Sequence, residues 1–287
     1  MKNKLTSLKN ITHEEILLMQ MNNELDNQDS WDNLCKNYKL TEEIIDKFKN
    51  HWNWTYISIY QRLSEAFIEK YEYTIKWKSI SRNQKLSEEF IEKHKDKVGW
   101  CTISRYQKLS ESFIEKHKDK VDWFYISTYQ KLSEAFIEKH INNIYWTRIS
   151  NNQKLSEEFI EKHKDKVDWE SICMRQKLSE QFIEKYQDEV NWYWIFRYQK
   201  LSEEFIDKYQ DKVNWHDISR YQTLSESFIE KYKNKINWDC ISIYQTLSED
   251  FIMKYHDKVK WFYIPKYQKL SDEFKEKYKW KIDQRLL

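Results

Sequence analysis

Residues 77–99 read WKSISRNQKLSEEFIEKHKDKVG, and residues 100–122 repeat this stretch as WCTISRYQKLSESFIEKHKDKVD. Both stretches begin with Trp and have the same length, and the same spacing continues through most of the chain. Eleven tryptophans recur at this spacing without an insertion: Trp31, Trp54, Trp77, Trp100, Trp123, Trp146, Trp169, Trp192, Trp215, Trp238 and Trp261. A fixed period of this length is typical of tandem-repeat proteins, so the fold has to be predicted from the single repeat.

Within one repeat, numbered from its Trp as position 1, the apolar spacing predicts two short helices. Trp, Ile, Ser and Gln occupy positions 1, 4, 5 and 8, which lie on one face of a first helix. Phe, Ile and a His or Tyr occupy positions 14, 15 and 18 of a second helix. The Ser at position 11, for example Ser87, precedes Glu and is the predicted N-cap of the second helix. Asp or Asn before Trp is the predicted N-cap of the first helix, with Ser30 in this role in the first repeat.

These patterns predict an all-α fold, an α-solenoid of about eleven tandem 23-residue helix-turn-helix repeats that form an elongated superhelix. A unit of this size cannot bury a core alone, so its stability must come from stacking on its neighbours. We expect a capping helix within residues 1–30, the repeat array over residues 31–283 and a tail over residues 284–287. Pro265 should kink or shorten the first helix that contains it. A leucine-rich repeat has a similar period but needs strand alternation, which this sequence lacks.

The overall composition narrows the classes of function. The formal net charge of +2 gives no global field that would attract nucleic acid or an anionic membrane. The single glycine excludes a glycine-rich phosphate loop. Cys35, Cys101, Cys173 and Cys240 lie far apart and form no metal motif, which favours a reducing, intracellular and cytoplasmic location. No apolar stretch approaches the length of a membrane span, and we expect neither a metal nor another cofactor.

Three repeated positions resemble chemical sites, and each is interpreted as structural. Position 18 holds His in four repeats and Tyr or Phe in the others, so it requires a buried flat ring rather than a metal ligand. The Glu residues at positions 12 and 16 recur as near-identical solvated copies, whereas acid–base catalysis needs a perturbed carboxyl group. The Gln at position 8 lies on the core face and must bond to inter-helix backbone or to the adjacent Gln. No catalytic triad motif occurs, so we do not expect an enzyme.

The positions that vary between repeats lie on the outward side of the first helix, whereas the second helix is nearly constant. In solenoids, a diverse surface on a uniform scaffold is where recognition resides. The chain has 41 Lys and only 8 Arg, and six of these arginines fall on the variable face, where tyrosines alternate with them. Arg binds phosphate and carboxylate bidentately and stacks on rings, so stacked repeats should form a stripe of Arg and Tyr. The predicted partner-binding residues are Arg82, Arg105, Tyr106, Tyr129, Arg148, Arg175, Arg197, Tyr198, Arg220 and Tyr221.

The unit W-x-x-I-S-x-x-Q-x-L-S-E-x-F-I resembles short tandem helical repeats in uncharacterised proteins of large DNA viruses and some phages. The resemblance covers nearly the whole chain. It implies a helical array and a viral source, and it implies no activity. The array also resembles TPR-like and pentatricopeptide solenoids in that short helical repeats stack in tandem. Its unit is far shorter than theirs, and their consensus residues are missing.

The leading hypothesis for function is a non-enzymatic scaffold that binds an acidic surface of a protein partner, because Arg and Tyr are enriched at interface hot spots. A viral host-interaction protein would fit this class. The alternative is a nucleic-acid-binding solenoid, with Arg on phosphates and Tyr on bases. A third interpretation is that the arginines pair within the chain with Glu170, Asp217 and Asp239. We expect no membrane partner and no small-molecule substrate, and a monomeric chain.

Overall fold

The computed structural model describes residues 9–282, so the predicted tail over residues 284–287 lies outside the described part. The chain divides into two compact units, Met1–Tyr145 and Trp146–Leu287. In each unit, pairs of short helices follow one another at the period of the sequence repeat, and neighbouring first helices are in contact. The prediction of an all-α solenoid of helix-turn-helix repeats is therefore confirmed.

The first unit contains an N-terminal cap and the first five repeats. Its two short strands pair in parallel, with Lys9 opposite Tyr38 and Asn10 opposite Lys39. In chain order its elements are β1 Lys9–Asn10, α1 His13–Met21, α2 Gln28–Asn37, β2 Tyr38–Lys39, α3 Glu42–Lys47, α4 Trp54–Tyr60, α5 Glu65–Lys70, α6 Trp77–Asn83, α7 Glu88–Lys93, α8 Trp100–Tyr106, α9 Glu111–Lys116, α10 Trp123–Tyr129 and α11 Glu134–Lys139.

The second unit contains the remaining six repeats. Its first helices have seven residues, except the last, which has four. In chain order its elements are α12 Trp146–Asn152, α13 Glu157–Lys162, α14 Trp169–Arg175, α15 Glu180–Lys185, α16 Trp192–Tyr198, α17 Glu203–Lys208, α18 Trp215–Tyr221, α19 Glu226–Lys231, α20 Trp238–Tyr244, α21 Glu249–Lys254, α22 Ile264–Tyr267 and α23 Asp272–Lys277.

The helix boundaries follow the predicted capping residues, with one exception. Ser87 accepts a hydrogen bond from the Phe90 amide at 3.1 Å, and the same contact begins the other second helices from α5 onward. Asp122 caps α10 by accepting from two amides. The prediction for Ser30 is wrong, because α2 begins at Gln28 and its N-cap is Asn27. The helix therefore starts before Ser30, and an Asn side chain further upstream satisfies its free amides.

The ends of the array depart from the regular repeat. Thr12 and Glu15 form a capping box at the start of α1, and the His13 ring lies 5.6 Å from the Phe48 ring of the first repeat. At the other end, α22 begins only at Ile264, with Pro265 in its first turn. Pro lacks an amide hydrogen and is tolerated only in the first helical turn, so the predicted shortening is confirmed.

The core consists of aliphatic side chains and stacked rings contributed by every repeat. The isoleucines at positions 4 and 15, for example Ile103 and Ile114, are fully buried. The ring at position 18 packs on two other rings of its own repeat: His117 lies 4.7 Å from Trp100 and 4.6 Å from Phe113, between ring centroids. The corresponding ring in other repeats is Tyr, as expected for a position that requires shape rather than metal binding.

Within each unit, the Gln at position 8 connects its repeat to the backbone of the preceding one. Gln107 donates to the carbonyl oxygens of Ser81 and Gln84 at 2.8 and 2.7 Å. Its own amide oxygen accepts from the Leu86 amide at 3.1 Å. The same three bonds recur in the second unit, for example at Gln222. The prediction that this Gln bonds to inter-helix backbone is confirmed, and it satisfies backbone groups that the short helices leave without partners.

The Ser at position 5 makes a second connection between repeats. The Ser81 hydroxyl donates to the Trp77 carbonyl oxygen at 2.7 Å and accepts from the Gly99 amide of the next repeat at 3.1 Å. In the second unit Ser219 bonds to Trp215 and Asn237 in the same way. The hydroxyl therefore completes the start of the following first helix, in addition to allowing close packing.

The repeated Glu residues are structural, as predicted, but they are bound rather than free in solvent. Glu65 at position 12 accepts from the Ser87 amide at 2.6 Å and from its hydroxyl at 3.1 Å. Glu92 at position 16 contacts Lys116 at 2.9 Å and His117 Nε2 at 2.6 Å, both in the next repeat. These two partners hold the pKa of the Glu92 carboxyl down to about 2. Bridges of this kind join successive second helices at their exposed side.

Within residues 9–282, every helix is too short or too polar to cross a lipid bilayer.

We predict that Gln107→Ala lowers the free energy of unfolding by about 3 kcal/mol or more. The substitution leaves one amide and two carbonyl groups without partners in a buried layer, and each such group costs about 1–3 kcal/mol. Chemical denaturation followed by circular dichroism measures the change. Lys108→Ala at the adjacent exposed position is the control, and equal stability of the two variants would contradict the structural role of the Gln.

We also predict that the bridges weaken in acid. A carboxyl group whose folded-state pKa is depressed contributes stability above its unfolded pKa and loses that contribution as the pH falls through its folded pKa. For Glu92 this window runs from about 4.5 down to about 2. Thermal unfolding between pH 5 and pH 2 should therefore show a weaker pH dependence in Glu92→Gln than in the parent chain. Glu89→Gln, which removes an exposed carboxylate outside these bridges, should retain the parent dependence.

Candidate partner-binding surface

The predicted Arg and Tyr residues are brought together by a constant offset between neighbouring repeats. Neighbouring first helices pack directly on one another, for example α6 on α8 and α16 on α18. Position 6 of one repeat consequently faces position 7 of the next, and the facing side chains are 24 residues apart in the chain. Arg82 and Tyr106 are related in this way, as are Arg197 and Tyr221. The offset determines which variable side chains contact each other.

In the first unit, two arginines and three tyrosines form a connected cluster that we call patch 1. Arg82 Cζ lies 5.1 Å from the Tyr106 ring centroid. Arg105 Cζ lies 5.1 Å from Tyr106, 5.2 Å from Tyr125 and 5.6 Å from Tyr129. Tyr106 and Tyr129 are 41% and 52% exposed, so the cluster is on the surface. Arginine above aromatic rings is a cation–π arrangement, which orients the guanidinium while leaving its N–H groups at the edge.

Patch 1 borders a surface cleft of about 500 Å³. The cleft lies between first helices of consecutive repeats and is entirely within the first unit. Its lining residues are Ile59, Lys78, Ser79, Arg82, Asn83, Cys101, Thr102, Arg105, Tyr106 and Tyr125. Three of these side chains are cationic and none is a carboxylate, so the cleft is suited to an anionic group.

The second unit contains a related cluster, which we call patch 2. Arg197 Cζ lies 4.7 Å from the Tyr221 ring centroid, and one of its terminal nitrogens donates to the Tyr193 hydroxyl at 2.5 Å. Arg220 Cζ lies 5.2 Å from the ring of Tyr221 and equally far from that of Tyr244. Patch 2 consists of Tyr193, Arg197, Tyr198, Arg220, Tyr221 and Tyr244.

Two of the predicted arginines stand at other positions of the repeat than the four arginines of the patches. Arg175 stands at position 7, where its Nε donates to the Asn151 side chain at 3.1 Å. Arg148 stands at position 3 of α12 and is half-buried. Position 6 between the two patches holds Thr128, Asn151 and Met174. Each unit therefore contains one cluster of Arg and Tyr at positions 6 and 7.

Glu170, Asp217 and Asp239, which the third interpretation paired with the arginines, each have another partner. Glu170 accepts from the Trp194 indole nitrogen at 3.0 Å. Asp217 lies 3.6 Å from His216, and Asp239 lies 3.4 Å from Lys260. In the described part of the chain, the arginines of both patches contact rings rather than carboxylates.

The sequence did not predict that Tyr125 and Tyr193 contact Arg105 and Arg197 in the two patches. It also did not predict a contact of His216 with Cys240 and Asp217. Cys240 Sγ lies 3.6 Å from His216 Nε2, and Asp217 lies 3.6 Å from the other ring nitrogen. Burial raises the pKa of the Cys240 thiol, which is only 7% exposed, so the group is not an activated nucleophile. Among residues 9–282, no group of three or more His, Cys, Asp or Glu could hold a metal ion. His216 and Cys240 are 24 residues apart, so the offset between neighbouring first helices accounts for their contact.

Patch 2 lies next to an interruption in the bonds between repeats. Phe196 replaces the Ser at position 5 and packs 5.5 Å from Trp192, between ring centroids. It offers no hydroxyl to the Asn214 amide, and Asn214 is exposed. Val213 is half-buried, whereas the equivalent Ile236 is buried and donates its amide to the Tyr232 carbonyl oxygen at 3.1 Å. The described structure has no such bond at Val213, so this turn is a weak connection within its unit.

The chain matches no protein-family model, no curated protein and no solved structure, so the site must be interpreted from its own geometry.

We predict that the amides of Val213 and Asn214 exchange with solvent at least about tenfold faster than those of Ile236 and Asn237, because they lack the intramolecular acceptors. Hydrogen exchange measured by NMR on the full chain tests this difference. Phe196→Ser supplies the missing hydroxyl and should slow exchange at Asn214 specifically. Equal protection of both turns in the parent chain would contradict the assignment of a weak connection.

Proposed function

We propose that the chain is a non-enzymatic binding scaffold that recognises an acidic surface of a protein partner through patches 1 and 2. The observation that carries the proposal is the environment of Arg105, whose guanidinium lies against three tyrosine rings and, among residues 9–282, against no carboxylate. Its charge is therefore not neutralised within the chain. A stacked guanidinium keeps its in-plane N–H groups available for a bidentate acceptor such as a carboxylate.

The uniform part of each repeat supports this division of roles. The Gln, Ser and Glu side chains that connect neighbouring repeats do so from positions 5, 8, 12 and 16. Positions 6 and 7 are outside this set, so their residues vary without loss of the connections. A rigid scaffold that orients Arg and Tyr side chains lowers the entropy lost on binding, which is the advantage of preorganisation.

The geometry favours a protein partner over nucleic acid. Two guanidinium groups lie within 5.2 Å of the Tyr221 ring centroid, and two lie 5.1 Å from that of Tyr106. These rings are therefore already in contact with cations, whereas a nucleic-acid base needs an unoccupied ring face on which to stack. The formal net charge of the chain is also only +2, so the non-specific attraction to a phosphate backbone is small.

The test compares a labelled glutamate-rich peptide with labelled single-stranded RNA and DNA, each titrated with the full chain at about 50 and 200 mM salt. We expect the peptide to bind, and we expect the double variant Arg105→Ala/Arg197→Ala to weaken this binding at least about tenfold. A hydrogen bond to a charged group contributes about 1.5–3 kcal/mol, which is the basis of this magnitude.

The matched control is Lys108→Ala/Lys200→Ala, which removes the same net charge at exposed positions outside the patches. This control should bind the peptide within about twofold of the parent chain, and both double variants should keep the parent unfolding midpoint. Tighter binding of RNA or DNA than of the peptide would support the nucleic-acid alternative instead. Equal loss of peptide binding in both double variants would reduce the effect to net charge and overturn the proposal.

A further inference from the structure

We infer that the cleft beside patch 1 is a binding site for a phosphorylated side chain of the protein partner. This inference rests on the proposed function and adds a chemical class of ligand to one of its two patches. It depends on residues of the first unit alone, and all lining side chains lie between Ile59 and Tyr125.

The charge of the cleft exceeds what a single carboxylate would balance. Lys78, Arg82 and Arg105 line it together, and no Asp or Glu is among the lining residues. The nearby carboxylate of Asp122 is engaged at the start of α10, where it accepts from the Phe124 and Tyr125 amides at 3.1 and 3.3 Å. A phosphate monoester carries a charge of about −1.5 to −2 and three acceptor oxygens, so it matches three cations better than one carboxylate does.

The donors of the cleft also match the geometry of phosphate. The two arginines present planar forks that bind phosphate oxygens in pairs, and Lys78 adds a point charge. The Tyr106 ring lies 5.1 Å from the guanidinium carbons of both Arg82 and Arg105, so the two forks are oriented by the same ring. The side chains of Ser79 and Thr102 add hydroxyl groups to the lining.

The size of the cleft favours a phosphorylated residue of a chain over a free ion. Its volume of about 500 Å³ lies in the range of pockets that accept a whole small ligand. Ile59 and the rings of Tyr106 and Tyr125 provide apolar surface beside the cations. A side chain that carries a phosphate on an apolar stem would use both kinds of surface.

The experiment uses one peptide sequence in four forms, with phosphoserine, phosphotyrosine, glutamate or serine at its centre. Each is titrated with the full chain by fluorescence anisotropy, and inorganic phosphate is added as a competitor. We expect at least one phosphorylated form to bind about tenfold or more tightly than the glutamate form. Arg82→Ala/Arg105→Ala should abolish this preference, whereas Arg197→Ala/Arg220→Ala in patch 2 should leave it intact.

The possible failures separate this inference from the proposed function. Equal binding of the glutamate and phosphorylated peptides, with both lost in the Arg82→Ala/Arg105→Ala variant, would overturn the phosphate site and support the acidic-surface scaffold. A phosphopeptide preference that survives this variant would also overturn the assignment to the cleft. Complete competition by inorganic phosphate at the concentration of the peptide would show a site for the free ion, which contradicts the inferred role of the apolar walls. Absence of binding by all forms would overturn both proposals.

Discussion

The rest of the structure depends on the hydrogen bonds that the Gln side chain at position 8 makes to the preceding repeat. A helix of six or seven residues leaves most of its terminal amides and carbonyls without partners inside the helix. Gln107 and its equivalents satisfy one amide and two carbonyls of the preceding repeat from a buried position. Helices too short to be stable alone are thereby combined into layers, and each layer is completed by the next repeat. This requirement explains why Gln recurs in ten successive repeats whereas its neighbours at positions 6 and 7 vary.

The division between constant and variable positions has a chemical basis in both units. Constant residues bond to the adjacent repeat, and the acidic ones among them are bound to Ser, Lys, His or Tyr side chains. The acidic and basic charges of the second helices are consequently paired at their own surface. On the first helices, the patch arginines contact rings, which orient the guanidinium group without cancelling its charge. Arginine is thus the cation that the patches hold against rings, although lysine is much more abundant in the chain.

Much of the fold was predictable from the repeat, because capping, burial and periodicity are local properties of its residues. The N-cap role of Ser87, the core ring at His117 and the backbone bonds of Gln107 all follow from residue type and spacing. The start of α2 was not predictable in this way, because Asn27 and Ser30 are both good capping residues and residue type does not distinguish them. The patches were predicted only in part. Residue types identified Arg105 and Tyr106. The offset that pairs position 6 with position 7 of the next repeat depends on how the helices pack. The sequence of a single repeat does not specify this packing.

The fixed reach of the connecting side chains also constrains how such a protein changes over evolutionary time. Within a unit, a Gln such as Gln107 bonds to carbonyls 23 and 26 residues earlier and to an amide 21 residues earlier. An insertion of one or two residues would therefore break several bonds at once. Duplication or deletion of a complete repeat preserves every one of them. Gene length in this type of protein should therefore vary by whole repeats. A duplicated repeat would bring its own residues at positions 6 and 7, and would create new neighbour pairs at both of its borders.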